Sequence, residues 1–174
     1  MKRSKPLKVF LVDDDKVFST ALSYQLEKMF KSGTMVRSFS TGEECLTQLE
    51  HTRPNILILD YFLNSSYPDA MNGLQVLDKV IKVSPETKVI MLSAQDKMEV
   101  AVDTIKHGAY DYLIKNDKVF LRTKLVMLNA ASAISDSTDL KSYRFWVKVA
   151  SGLILFAITA CIVVKMNFPG IFIE

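Results

Sequence analysis

The chain has 174 residues, 49% hydrophobic and 24% charged, which suits one globular domain with an appendage and excludes a disordered or fibrous polypeptide. The formal net charge is +3, and the basic residues are scattered without an aromatic-interleaved stripe, so the footprint of a nucleic-acid binder is missing. Two cysteines, Cys45 and Cys161, fall in dissimilar segments, which excludes a disulfide scaffold and fits a reducing compartment.

Leu7 to Val12 reads as a first strand that stops at Asp13-Asp14-Asp15. A helix over Lys16–Phe30 follows, because Phe18, Ala21, Leu22, Leu26, Met29 and Phe30 share one face. Ser32-Gly33 ends it. Thr34 to Phe39 is the second strand. Ser40-Thr41-Gly42-Glu43-Glu44 opens a second helix, a hydroxyl cap with acids in the first turn, which ends near His51 before Pro54.

Ile56 to Asp60 is the third strand. Its apolar run suits burial on both faces, and it delivers one carboxylate, Asp60, at its C-terminal edge. A polar segment runs from Asn64 to Asn72. Gly73 then opens a helix with Leu74, Leu77, Val80 and Ile81 on one face, broken by Ser84-Pro85. Thr87 to Leu92 is the fourth strand and stops at Ser93-Ala94. Another helix spans Asp96–His107, closed by Gly108. Tyr110 to Ile114 is the fifth strand and ends on Lys115. An amphipathic helix over Lys118–Ile134 closes this part of the chain.

Alternation of strand and helix forces parallel strands with crossover helices on both faces. The predicted fold is α/β, a doubly wound five-stranded parallel sheet with the flavodoxin-like order 2-1-3-4-5. In such a sheet the C-terminal strand ends form one rim. Asp13 and Asp14, Asp60, Ser93 and Lys115 would meet there. Clustered carboxylates repel unless a cation neutralises them, and hard oxygen ligands select Mg²⁺. A carboxylate beside Mg²⁺ and an ammonium is poised to accept a phosphoryl group, with Ser93 and Lys115 on its oxygens.

The pieces Val9-Phe10-Leu11-Val12-Asp13-Asp14-Asp15, Ile56-Leu57-Ile58-Leu59-Asp60, Met91-Leu92-Ser93-Ala94 and Gly108-Ala109-Tyr110-Asp111-Tyr112-Leu113-Ile114-Lys115 resemble the receiver domain of two-component response regulators, the CheY-like family. The resemblance covers Leu7 to Ile134. It implies Asp60 as phosphoacceptor, Asp14 as direct Mg²⁺ ligand, Asp13 acting through water and the backbone carbonyl of Phe62 as a further ligand. It also implies Ser93 as switch hydroxyl, Tyr112 as switch aromatic and Lys115 as phosphate-binding lysine. The implied donor is a sensor histidine kinase or a phosphotransfer protein.

Three features depart from the family. Asn116 follows the lysine where proline is usual, and cis before a non-proline residue costs about 3–4 kcal/mol, so a trans, differently shaped loop is expected. The segment from Asp60 to Gly73 is longer than usual. Phe62 and Gln95 stand where the family tunes water attack on the phosphoryl group, and a bulky Phe62 predicts slower self-hydrolysis. Asp15 is read as a cap of the first helix. Cys45, His51 and His107 have no partners at useful spacing and are read as structural or surface residues.

Ser135-Asp136-Ser137-Thr138-Asp139 reads as a polar linker, and the chain has no room for an output domain after it. Val149 to Val164 carries no charge and spans roughly 24 Å as a helix, near the hydrocarbon thickness once its flanks are added. Tyr143, Phe145 and Trp146 suit an aromatic belt. Lys141, Arg144 and Lys148 precede the run and Lys165 follows it, so the positive-inside rule keeps the first domain cytoplasmic.

The expected layout is therefore a receiver domain over 1–134, a linker over 135–142, a single-pass transmembrane helix over 143–166 in a cell inner membrane, and a tail over 167–174. The expected function is a membrane-tethered phosphoacceptor that switches an unidentified downstream protein, not a turnover enzyme and not a nucleic-acid binder. Two other classes are weighed. One is a phosphorylation-independent membrane adaptor with the same fold. The other is a haloacid-dehalogenase-like phosphatase, which would want a second acid where Phe62 stands.

Overall fold

The computed structural model describes residues 6–30, 34–63 and 70–167, without the side chains of 136–142, 144, 157–158 and 160–167. The elements in order are β1 Lys8–Val12, α1 Lys16–Met29, β2 Met35–Phe39, α2 Gly42–His51, β3 Ile56–Asp60, α3 Gly73–Val83, β4 Lys88–Ser93, α4 Met98–Lys106, β5 Asp111–Ile114 and α5 Val119–Asn167. The strands lie in the order β2-β1-β3-β4-β5, and all neighbours are parallel. The expected topology is the observed one.

The central strands are apolar because they are buried on both faces. Val9–Val12, Ile56–Leu59 and Val89–Leu92 are all within 1% of full burial. Leu49, Val76, Leu77 and Val80 bring α2 and α3 onto this layer, and Leu22 and Leu26 of α1 are equally enclosed. Truncating one such leucine to alanine costs about 2–5 kcal/mol. β2 is an edge strand, and its Met35 is 56% exposed, in keeping with its weaker apolar pattern.

Caps set the helix starts. Asp15 accepts from the Val17 and Phe18 N–H groups, Thr41 from Glu44, and Asn72 forms a reciprocal capping box with Gln75. Gly108 closes α4 with φ +97°, a left-handed turn in which its N–H reaches Ile105 O at 3.0 Å and the Ala109 N–H reaches Thr104 O at 3.1 Å. α4 begins at Met98, two residues later than the Asp96 expected, and Lys97 at its N-cap makes no side-chain cap hydrogen bond.

The reading of one residue is narrowed and that of another changes. Cys45 lies on a surface helix but points inward, fully buried, and burial pushes its thiol up to about 12. His107 does have a partner: its Nδ1 lies 2.7 Å from Asp78 Oδ1. The 29-residue separation hid a contact that the topology makes between α3 and the end of α4.

The chain divides into two compact units, Met1–Ser132 and Ala133–Glu174. In the first, α5 presents Val119, Thr123, Met127 and Ala130 as its buried stripe. The helix expected to end at Ile134 instead runs on to Asn167, through the segment read as a linker. That segment contains no glycine or proline, and each Ser, Thr or Asp costs a helix interior only about half a kcal/mol, too little to stop one. In the second unit Tyr143, Phe145, Trp146, Leu153, Ile154, Leu155 and Phe156 are each more than three-fifths exposed. Among the described residues no helix is long and apolar enough to cross a membrane. The expected span over 143–166 runs into residues whose side chains lie outside that description, as do Ser32-Gly33 and positions 64–69 of the polar segment.

Candidate functional site

The rim is assembled by the sheet. β1 and β3 are paired with Val12 beside Leu59, so the residues that follow them, Asp13 and Asp60, emerge side by side. The ladder continues past the strands: the Tyr61 N–H reaches Leu92 O at 2.8 Å, and the Lys115 N–H reaches Ser93 O at 2.7 Å. Asp60, Ser93 and Lys115 are thereby brought to one edge. Gly73 closes the site from below. A Cβ there would stand 2.1 Å from Asp60 O and 2.8 Å from Tyr61 Cα, so only glycine lets α3 start this close to the Asp60 backbone.

Asp13 and Asp60 are buried and Asp14 half-buried, and one oxygen from each lies within 4.8 Å of the other two. Lys115 Nζ lies 2.8 Å from Asp60 Oδ2, a hydrogen bond, and 2.7 Å from Asp13 Oδ2. Asp13 Oδ2 is thus paired with the ammonium. Asp14 Oδ2 is a buried oxygen with no hydrogen-bond partner. The remaining Asp13 oxygen accepts the Asp15 N–H at 3.0 Å, and Asp60 Oδ1 accepts the Phe62 N–H at 3.3 Å.

Burial is the largest influence on both carboxylates. It pushes Asp13 up to about 6, against the Lys115 ammonium. It also raises Asp60, again opposed by Lys115. Burial disfavours the Lys115 ammonium too, but the hydrogen bonds and charges of Asp13 and Asp60 outweigh it and raise Lys115 overall. One cation thus faces three acids. A buried carboxylate oxygen without a partner, in a set of three carboxylates faced by one ammonium, fits a hard divalent ion, which would relieve the remaining repulsion.

Ser93 is fully buried, and its Oγ accepts the Gln95 N–H at 3.1 Å. The Tyr112 hydroxyl, on the half-buried side of β5, donates to Gln95 O at 2.8 Å. The Gln95 residue therefore joins Ser93 to Tyr112, a link that no spacing in the sequence announced. The Lys115–Asn116 bond is trans, since there is no cis bond among the described residues. Asn116 accepts the Lys118 N–H on its side chain at 3.0 Å and the Val119 N–H on its carbonyl at 2.9 Å. It opens α5 as an Asx turn, a task for which asparagine is suited and proline is not. An open depression of about 640 Å³ beside β2 and α2, lined by Arg37, Ser38, Phe39, Glu44, Thr47 and Gln48, brings together none of these groups.

Residues 9–126 match the family described as response regulator receiver domain. The chain is 32% identical over 120 residues to the nitrogen assimilation regulatory protein NtrX of Azorhizobium caulinodans, covering 69% of this chain and 24% of that one. It is 32% identical over 116 residues to the nitrate/nitrite response regulator protein NarL of Escherichia coli, covering 67% and 51%. Among solved structures, the receiver domain of NtrX from Brucella abortus superposes with a TM-score of 0.60 at 28% identity, covering 73% of this chain and 98% of that one. The chain thus spans between about a quarter and about half of the length of these two curated relatives.

Proposed function

We propose that this chain, which belongs to the response regulator receiver domain family, accepts a phosphoryl group on Asp60 and passes the change on through Ser93 and Tyr112. The observation that carries this reading is the ammonium of Lys115, held 2.8 Å from Asp60 Oδ2 at the edge of a cluster of three carboxylates. The donor is the phosphohistidine of a sensor histidine kinase or a phosphotransfer protein. An ionised Asp60 oxygen attacks phosphorus as the bond to the imidazole nitrogen breaks. The electron pair leaves with the imidazole, which takes its proton from solvent.

Asp13, Asp14 and Asp60, with the Phe62 carbonyl, are the groups that would hold Mg²⁺, which supplies positive charge against the phosphoryl oxygens when bound. Lys115 opposes the rise that burial imposes on Asp60 and offers its ammonium to a phosphoryl oxygen. Ser93 offers its hydroxyl to another. Turning that hydroxyl towards phosphate releases the Gln95 N–H, and the Gln95 carbonyl that carries the Tyr112 hydroxyl shifts with it. Partner affinity changes at the surface around Tyr112. Phe62 offers no polar group to orient water, so self-hydrolysis is slow. The chain is in this sense a signalling phosphoacceptor, not a turnover enzyme.

The same reading places the domain at the cytoplasmic face of a cell inner membrane, tethered by a helix over 143–166. The support is the charge-free run Val149 to Val164 and the exposed apolar side chains of the second unit on several faces of one helix. Membrane fractionation of the chain with and without the residues after Ser142 tests the tether. Recovery of both forms in the soluble fraction overturns it. For the phosphoacceptor, incubation with a small phosphodonor and Mg²⁺ should give an acid-stable, base-labile phosphate in the wild type and none in Asp60→Asn. Equal labelling of the two would sink the assignment.

A further inference from the structure

Lys115 has a third neighbour besides its two carboxylates. Its Nζ lies 4.7 Å from the centroid of the Phe18 ring. Phe18 sits in the first turn of α1, where its N–H is fixed on the Asp15 cap at 3.1 Å. Its ring is backed by Phe120 of α5, with centroids 5.8 Å apart and planes at 25°. The ring is thus held by α1, which carries it, and by α5, whose Phe120 stacks against it.

A lysine stem has four rotatable carbons and a compact ammonium, so something must restrict it. Here the residue after Lys115 is Asn116, whose side chain serves α5. The Lys115 side chain is still 17% exposed. Two carboxylates attract the ammonium, and Asp13 competes with Asp60 for it. An aromatic face within about 6 Å attracts a cation through its quadrupole.

We infer that Phe18 is a positioning residue for Lys115: its π face, supported by Phe120, holds the ammonium at the Asp13–Asp60 edge where a phosphoryl oxygen would be met. The inference rests on the role proposed above for Lys115. Plain apolar packing of Phe18 makes a different forecast, because leucine would then serve as well as phenylalanine.

The experiment uses the full chain with Phe18→Leu, Phe18→Tyr and a series in which Phe18 carries increasing ring fluorination, which weakens the quadrupole with little change of shape. The first readout needs neither metal nor phosphodonor. The Lys115 methylene resonances next to Nζ, assigned by their loss in Lys115→Met, should be displaced upfield by the ring in wild type and Phe18→Tyr. They should return to ordinary values in Phe18→Leu. The second readout is the rate of Asp60 phosphorylation by acetyl phosphate with Mg²⁺. It should fall about three- to thirtyfold in Phe18→Leu, the range of a cation–π contact, fall stepwise along the fluorinated series, and stay near wild type in Phe18→Tyr.

A wild-type rate in Phe18→Leu, a flat fluorinated series, or undisplaced Lys115 resonances in the wild type would overturn the inference. If the wild type takes no phosphoryl group at all, the phosphoacceptor reading fails, while the resonances still decide whether Phe18 holds Lys115.

Discussion

Asp13→Asn should make the metal-free protein more stable at pH 7.5 and take away most of its response to Mg²⁺. Asp13 is 1% exposed, so its ionisation is not screened by water. Burial first, and Asp60 in addition, push it from 3.8 up to about 6 despite Lys115. That shift corresponds to roughly 3 kcal/mol of unfavourable ionisation once the carboxylate is fully charged. The folded state binds the proton more tightly than the unfolded state. Stability contributed by this group is therefore present below pH 3.8, lost as pH rises to about 6, and gone above it. Asparagine keeps an oxygen for the Asp15 N–H, which now lies 3.0 Å from Asp13 Oδ1, and removes the charge. Urea unfolding at pH 7.5 without metal should show the variant more stable by up to ~3 kcal/mol, with the gain vanishing towards pH 4. Adding Mg²⁺ at about a hundredfold over its Kd should stabilise the wild type by ~3 kcal/mol and the variant far less. A variant that is less stable than wild type without metal, or that gains as much from Mg²⁺, would refute the account of a strained carboxylate cluster awaiting a cation.

Gly73→Ala puts a Cβ 2.1 Å from Asp60 O; overpacking of this kind costs about 1–3 kcal/mol, and the forced backbone shift should slow Asp60 labelling more than a distant substitution of equal destabilisation. Asp78→Asn should lower the pKa of His107, whose raised value comes first from its hydrogen bond to Asp78. The wild-type advantage is then full below pH 6.5 and lost as pH rises through the folded pKa, and an NMR titration of His107 paired with unfolding at pH 5.5 and 9 reads both effects. Tyr112→Phe removes the hydroxyl that donates to Gln95 O and should cost about 1 kcal/mol of stability while weakening the difference in Gln95 amide shift between free and beryllofluoride-bound protein.

The sheet was legible because its strands obey the simplest rule in the chain. Runs such as Ile56–Leu59 are continuous and apolar because both faces are covered, and each ends at a polar residue that must lie on the rim. The site residues followed from the topology, since parallel strands put all their C-terminal ends on one edge. What stayed hidden depends on contacts between elements distant in sequence. Phe18 read as a core-facing residue of α1, and nothing local said that its ring would meet Lys115. The pairing of His107 with Asp78 needed the relative placement of α3 and α4. Asn116 read only as a missing proline, although an asparagine two residues before Lys118 is itself an Asx-turn signal that could have been used. The polar composition of 135–142 does not interrupt α5, because the segment contains neither glycine nor proline to stop a helix.

The central claim is that Asp60 carries the phosphoryl group, and chemical trapping tests it most directly. Acyl phosphates are reduced by borohydride to the alcohol, whereas free carboxylates and phosphoserine are not. The full chain should be treated with acetyl phosphate and Mg²⁺, reduced, digested and mapped by mass spectrometry. Reduction at position 60 alone, dependent on Mg²⁺ and weakened in Lys115→Ala, is the result predicted. Reduction at another carboxylate, or none in a protein that still binds Mg²⁺, would contradict it.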